Sequence, residues 1–242
     1  MWYNQTEIKS AFCRKGHYMD RIITVRGVGT AKTKPDWVKI SINLNAKDKD
    51  YEKAMDLASE QITSLNAALK TVGFKKGSLK TLNFNVNTEY EGVHDEKGNY
   101  RNVFAGYCVW HSLSLEFKLD NKLLSKTLTA IAAADAKPEL NIAFTVKDPS
   151  AIKEQLLKNA AENAKAKAEI LAEASGVRLG ALLNIDYNWG QVNVFSNTNY
   201  GMPQMKRAVA ESANAVFADA GSFEPEEITS SDSAAFTWAL EA

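Results

Sequence analysis

The stretch Val38-Lys39-Ile40-Ser41-Ile42-Asn43-Leu44-Asn45 alternates apolar and polar side chains without a break. Successive side chains on a strand point to opposite faces, so this period predicts a β-strand with one buried face and one wet face. The period then changes. After Asp48 and Asp50, residues Ala54, Leu57, Ala58, Ile62, Leu65, Leu69 and Val72 recur at helical spacing as far as Gly73. This predicts a helix capped by an aspartate at its start and by a left-handed glycine at its end.

The same theme, a strand passing through an aspartate into a helix, recurs twice. Leu113, Leu115, Phe117 and Leu119 lead to Asp120 and a helix carrying Leu123, Leu124, Thr127, Leu128 and Ile131. Leu140, Ile142, Phe144 and Val146 lead to Asp148, to Pro149 in the first helical turn, and to a helix ending at Ser175 before Gly176. Aspartate caps are too common for this to establish duplication. Between the first two helices, Leu82, Phe84, Val86, Thr88 and Tyr90 alternate, a turn follows over residues 91–99, and Val103 to Leu113 alternate on the return. This predicts a long hairpin whose second strand needs a bulge or bend at Gly106. A strand is expected over residues 182–187. Residues 188–223, rich in Asn, Gly, Ser and Ala, then read as a long aromatic loop with a faint helical pattern through Met205, Val209, Ala213 and Phe217. Ile228, Ala234, Phe236, Trp238 and Leu240 share one parity in a last strand.

At 242 residues, with 45% hydrophobic and 24% charged side chains, the chain reads as globular. Its 29 basic residues balance 29 acidic ones, which argues against nucleic acid, whose binding needs an excess of Lys and Arg. No segment approaches the roughly 18 apolar residues of a membrane span. The first twenty residues hold no apolar run of the roughly 7 to 15 residues of a secretory signal, so a cytoplasmic location is expected. Met19 stands immediately before the first β pattern, and residues 1–18 read as a poorly ordered extension. Cys13 and Cys108 make no disulfide framework and are both read as reduced.

Several pieces together resemble the SIMPL domain family, a bacterial domain of unknown function named for a kinase-associated signalling molecule. They are Thr24, Val25, Gly27 and Gly29 with Pro35 and Asp36; Lys80, Thr81, Asn83, Phe84 and Tyr90; Gly106 and Tyr107; and Ala160, Ala164, Lys167, Ala168, Leu171, Ala172, Gly176, Leu179 and Gly180. The resemblance runs over about residues 21–187 and resumes in the last strand. It implies an α+β fold in two lobes of mainly antiparallel sheet packed against helices. One lobe is expected over residues 19–76 plus 139–242, the other, with the long hairpin, over residues 77–138. Family members are commonly exported with a signal peptide, and the family has no agreed activity, so it lends no catalytic residues.

Gly27, Val28 and Gly29 follow a strand, but Lys32 stands where a third glycine would complete a phosphate loop and no helix begins there, so a β-turn or bulge is expected. His17, His94 and His111 are scattered and no His or Cys pair has ligand spacing, so neither a metal nor a cofactor is expected, and no catalytic residue is assigned. His94 beside Glu91, Asp95 and Glu96 reads as a solvated acidic turn, and His111 as a satisfied histidine at the core edge. Asn159, Asn163 and Lys167 recur every four residues beside an alanine-rich stripe, as a hydrogen-bonding rail or a ligand contact.

Two functions follow. The preferred one is a non-enzymatic interaction or scaffold protein that self-associates into a homo-oligomer, or binds a protein partner, through the hairpin and the aromatic loop with Trp189, Phe195 and Tyr200. The alternative is a small-ligand-binding protein or enzyme with a site between the lobes, for which Lys167, Asn163 and Tyr107 are the candidate polar groups.

Overall fold

The computed structural model describes residues 21–94, 100–187, 190, 192–202 and 224–241. The expected extension over residues 1–18, Cys13, His17, the turn residues 95–99, Trp189 and the faint helical pattern through residues 205–217 lie outside the described residues. In chain order the elements are β1 (Ile22–Thr33), β2 (Trp37–Asp48), α1 (Tyr51–Val72), β3 (Leu79–His94), β4 (Tyr100–Lys118) and α2 (Asn121–Ala133). Then come β5 (Glu139–Thr145), α3 (Ser150–Ala174), β6 (Arg178–Asp186), β7 (Phe195–Met202) and β8 (Ile228–Glu241). The fold is α+β. Contacts divide it into two units, one holding the described residues of 1–29, 157–189 and 233–242, the other those of 30–156 and 190–232.

The larger unit is built on β2, whose alternation places it at the centre of a five-stranded sheet of order β3-β4-β2-β5-β7. β4 and β5 flank it antiparallel, with Ile40 opposite Leu115 on one side and Ile142 on the other. Val38, Ile40, Ile42 and Leu44 are fully buried with Leu113, Leu115, Ile142 and Phe144 beneath Leu65 and Leu69 of α1 and Leu124, Leu128 and Ile131 of α2. Burying each such side chain stabilises by about 1.5–3 kcal/mol, so this shared core is what holds both helices on one face. The caps are those the sequence names. Asp50 accepts from the Glu52 amide, Asp120 accepts from the Leu123 amide at 3.0 Å, and Gly73 (φ 106°) closes α1 with its N–H on Lys70 O. Asp148 accepts from the Ser150 amide at 2.9 Å, and the Ser150 hydroxyl, with that amide, lowers its carboxyl pKa.

In the smaller unit β8 lies between β1 and β6. Thr24 and Thr237 hydroxyls meet at 2.9 Å, Arg26 donates to Ser233 Oγ, and the Leu240 amide donates to Arg21 O, which ties β1 to β8. Val25, Phe236 and Trp238 pack with Ala164 and Ala168, small residues that bring the α3 backbone close to the sheet.

Three sequence expectations need correction. Gly27 and Gly29 lie inside β1, not in a turn. The glycine at position 27 serves closeness: a Cβ there would overlap the Ala160 carbonyl and fall 2.7 Å from Ala164 Cβ. β6 runs from Arg178 to Asp186, starting earlier than the strand expected over residues 182–187, so Gly180 sits within it. The segment read as one long loop contains β7, hidden because Phe195-Ser-Asn-Thr-Asn-Tyr-Gly-Met has little apolar alternation, as an edge strand with a single neighbour permits.

Candidate functional site

β4 outruns its inner partner. β2 pairs with β4 only from Tyr107 to Lys118, while β3 stays paired down to His94 opposite Tyr100. Residues 89–94 and 100–106 therefore form a two-stranded ribbon beyond the end of β2. The ribbon starts at an irregularity: Glu89 faces Gly106, Tyr90 faces Phe104, and Ala105 is the extra residue between them. Gly106 has φ 150° and lies against the backbone of Asp48, the last residue of β2, so the bulge expected from the sequence is present.

The ribbon carries a chain of aromatic rings in edge-to-face contact. Tyr51 of α1 meets Tyr107 at 5.4 Å, Tyr107 meets Phe104 at 5.3 Å, and Phe104 meets Tyr90 at 5.9 Å. Further out His94 meets Tyr100 at 5.6 Å, and the Tyr100 ring lies over Gly92 where a Cβ would stand. Edge-to-face contact is an arrangement that ring quadrupoles favour. Tyr90 is 60%, Tyr100 65% and Phe104 44% exposed, and Val93 and Val103 are exposed as well. A lone two-stranded ribbon is marginally stable in water, and this one carries these large apolar side chains in the open.

At the root of the hairpin His111 Nε2 and Thr81 Oγ1 lie 2.9 Å apart, and the imidazole stands edge-on to Phe84 at 5.1 Å. Burial lowers its pKa below the ordinary value of 6.5. The unfolded chain then takes up a proton before the folded chain does, so stability rises with pH through this window and is lost as pH falls below about 6.5. Urea midpoints across a pH series should show this loss in the wild type and a flatter profile in His111→Gln; matching slopes would contradict it. Nearby, the Cys108 thiol is free and buried, donates to Asn45 Oδ1 at 2.9 Å, and is pushed up in pKa by that burial.

The described residues among those singled out in the sequence fall on elements of both units. Tyr107 joins the aromatic chain. Phe195 and Tyr200 lie on β7, at the opposite edge of the same sheet, with Tyr200 edge-on to Phe144 at 6.1 Å. Asn159, Asn163 and Lys167 belong to α3 in the smaller unit. Asn163 Oδ1 accepts from the Val28 amide at 3.1 Å, and Lys167 Nζ donates to Arg26 O at 3.3 Å, so two of the three grip the backbone of β1. Sequence reasoning missed Tyr51, Tyr100 and Phe104; the signal was their position on the parts of the hairpin and helix that no apolar partner strand accompanies.

A concavity of about 720 Å³ lies along the C-terminal half of α1 and the turn that follows. Leu69, Phe74 and Leu79 give it apolar walls, and Lys70, Lys75 and Lys76 line it together with Thr63, Asn66 and Ser78. Among the described residues no group of three or more His, Cys, Asp or Glu side chains is placed to hold a metal ion, and no helix is long and apolar enough to cross a membrane.

An α+β protein with an aromatic β-ribbon is the class that fold and site define. The chain belongs to the SIMPL family, described as a protein of unknown function (DUF541), whose model matches residues 23–238. It is 30% identical over 166 residues to a 26 kDa periplasmic immunogenic protein of Brucella melitensis, a match covering 67% of this chain and 65% of that protein. The protein of the same name from Brucella abortus gives the same identity and coverage. The uncharacterized protein YggE of Edwardsiella ictaluri is 26% identical over 166 residues, 69% of this chain and 67% of that protein. The chain thus matches a little under two thirds of the length of the Brucella relatives. Their names overturn the cytoplasmic expectation. That expectation rested only on the lack of an apolar run near the start, which does not fix where a folded chain resides.

Proposed function

We propose that this protein is a periplasmic, non-enzymatic interaction protein that self-associates through the β3–β4 ribbon. The observation that carries this reading is the exposed aromatic chain from Tyr51 through Tyr107, Phe104 and Tyr90, continued by Tyr100 and His94. Tyrosine and phenylalanine present large areas at low conformational-entropy cost, which makes them favoured anchors of interfaces. β3 adds a second element. It is an edge of the sheet, and over residues 81–94 it has neither Pro nor Lys, the residues that commonly blunt an edge. Two such edges can pair around a two-fold axis, each offering its outer backbone groups to the other, so a second copy is a self-complementary occupant. The periplasmic part rests on the names of the Brucella relatives.

Sedimentation velocity over a wide concentration range tests the assembly. The wild type should sediment as a multiple of the chain mass, and the double variant Tyr100→Asp, Phe104→Asp should shift to monomer with an unchanged far-ultraviolet circular dichroism spectrum. A wild type that remains monomeric throughout would sink the reading. A second reading, a small-ligand carrier, is favoured by the lysine-lined pocket beside α1, whose volume lies in the usual range for ligand sites and whose walls suit an anion with an apolar tail. Thermal stabilisation by a medium-chain fatty acid, lost in Lys70→Glu, is its expected signature.

A further inference from the structure

We propose that the face of the five-stranded sheet turned away from α1 and α2 binds an uncharged, unbranched oligosaccharide. Strand register defines the face. Asn85 of β3, Trp110 of β4 and Asn45 of β2 stand side by side, and the next row is Asn83, Ser112 and Asn43. Asn87 continues the β3 row opposite Cys108, while Ser41 and Asn141 extend the field toward β5; Ser114, next to Ser41, is buried and donates to Glu116 Oε1 at 3.3 Å. Asparagine is depleted in strands, so five of them on two strands and one face is not what sheet formation alone selects.

Each amide is both donor and acceptor, and the network orients two of them. Ser112 Oγ donates to Asn43 Oδ1 at 2.8 Å and Cys108 Sγ donates to Asn45 Oδ1 at 2.9 Å, which leaves the Nδ2 of each as the group offered outward. Asn83, Asn85 and Asn87 are exposed. Trp110, 41% exposed, puts a flat indole face in the middle of this field.

Charge narrows the occupant. The two central rows carry no ionisable side chain, and the ion pairs that bound them are closed: Lys47 with Glu89 at 2.6 Å and Lys39 with Glu116 at 3.5 Å. Outside these three strands Glu139 of β5 ends the second row beside Asn43, and Lys80 stands one row further along β3, beside Ser114. A neutral ligand therefore matches the field, whereas a strongly charged one finds no counter-charge at its centre. A peptide fits poorly, because strand addition needs unpaired backbone groups, whereas β4 is paired on both sides from Tyr107 to Leu115 and β2 on both sides from Trp37 to Asn43. Covering so many amides with an apolar partner would strand their hydrogen bonds. A sugar chain supplies what is missing: hydroxyls that donate and accept for the amides, and a C–H face for the indole.

The test is a titration of the 15N-labelled full chain with cellohexaose, N-acetylchitohexaose and maltohexaose, followed through side-chain amide and indole N–H resonances, with calorimetry for affinity. At least one probe should shift the amides of Asn43, Asn45, Asn83, Asn85 and Asn87 and the Trp110 indole. Trp110→Ala should weaken binding at least tenfold, and Asn85→Ala severalfold. No shift from any probe at millimolar concentration, shifts confined to other residues, or an affinity unchanged in Trp110→Ala would each overturn the proposal. So would loss of self-association in Trp110→Ala, which would assign this face to a second copy. The ribbon double variant should still bind the sugar, so failure of this proposal and failure of the assembly reading are told apart.

Discussion

Gly27→Val is expected to destabilise the smaller unit by about 3 kcal/mol, the upper range for forcing extra atoms into a packed interior. The reason lies in what the new side chain meets. Its Cβ would overlap the backbone carbonyl of Ala160, and Ala164 Cβ stands 2.7 Å away. Backbone in mid-helix cannot step aside as a flexible side chain can, so α3 would have to lift from β1. Lifting it strips the bonds from Asn163 to the Val28 amide and from Lys167 to Arg26 O, and it opens the contact of Ala164 and Ala168 with Val25 and Phe236. Hydrogen exchange should locate the damage: amides of β1 and residues 233–241 of β8 should exchange much faster, while those of β2 and β5 stay protected. A variant with wild-type exchange in β1 would show that the closeness of strand and helix is not needed.

Gly106→Val is expected to have a comparable effect, about 3 kcal/mol, on the larger unit. Two penalties combine there. A φ of 150° is strained for a β-branched residue, at about 1–3 kcal/mol, and the added Cβ would stand 2.5 Å from Asp48 O and 3.1 Å from Lys49 Cα. The bulge that lets β4 leave β2 and continue with β3 alone would have to re-form elsewhere, shifting Phe104 and Tyr90 out of register. Urea unfolding should therefore report a lower midpoint, and sedimentation should report weakened association even at low temperature, where the unit remains folded. Stability within about 0.5 kcal/mol of wild type would mean that neither penalty is real.

The parts of this fold that obey a local period were legible. Val38 to Leu44 gave β2 its buried face, Asp50, Asp120 and Gly73 marked helix ends, and Gly106 marked the bulge. What a local period cannot carry was missed. The role of Gly27 depends on α3, more than a hundred residues later in the chain, and β7 is specified by pairing with β5 rather than by its own side chains. The gathering of α1 and α2 over one core is likewise a matter of long-range packing. For the site, Tyr107 was picked out, but its neighbours Tyr51, Phe104 and Tyr90 are brought to it by the register of a hairpin and the start of a helix. The polar face escaped for a different reason: Asn and Ser at alternate positions look like ordinary solvent-facing residues until four strands are laid side by side.

β4 has a mechanical consequence. Its 19 residues span about 60 Å at the usual rise, with one end in the hydrogen-bonded interior of the sheet and the other in the ribbon. The inter-strand bonds run across the strand, so tension applied along the ribbon loads the whole β2–β4 seam in shear. Many bonds must then yield together, whereas a pull across the seam would part them one after another. A neighbour tugging on the ribbon would thus be held by the body of the sheet, and β4 works as a tie-rod more than as a tether.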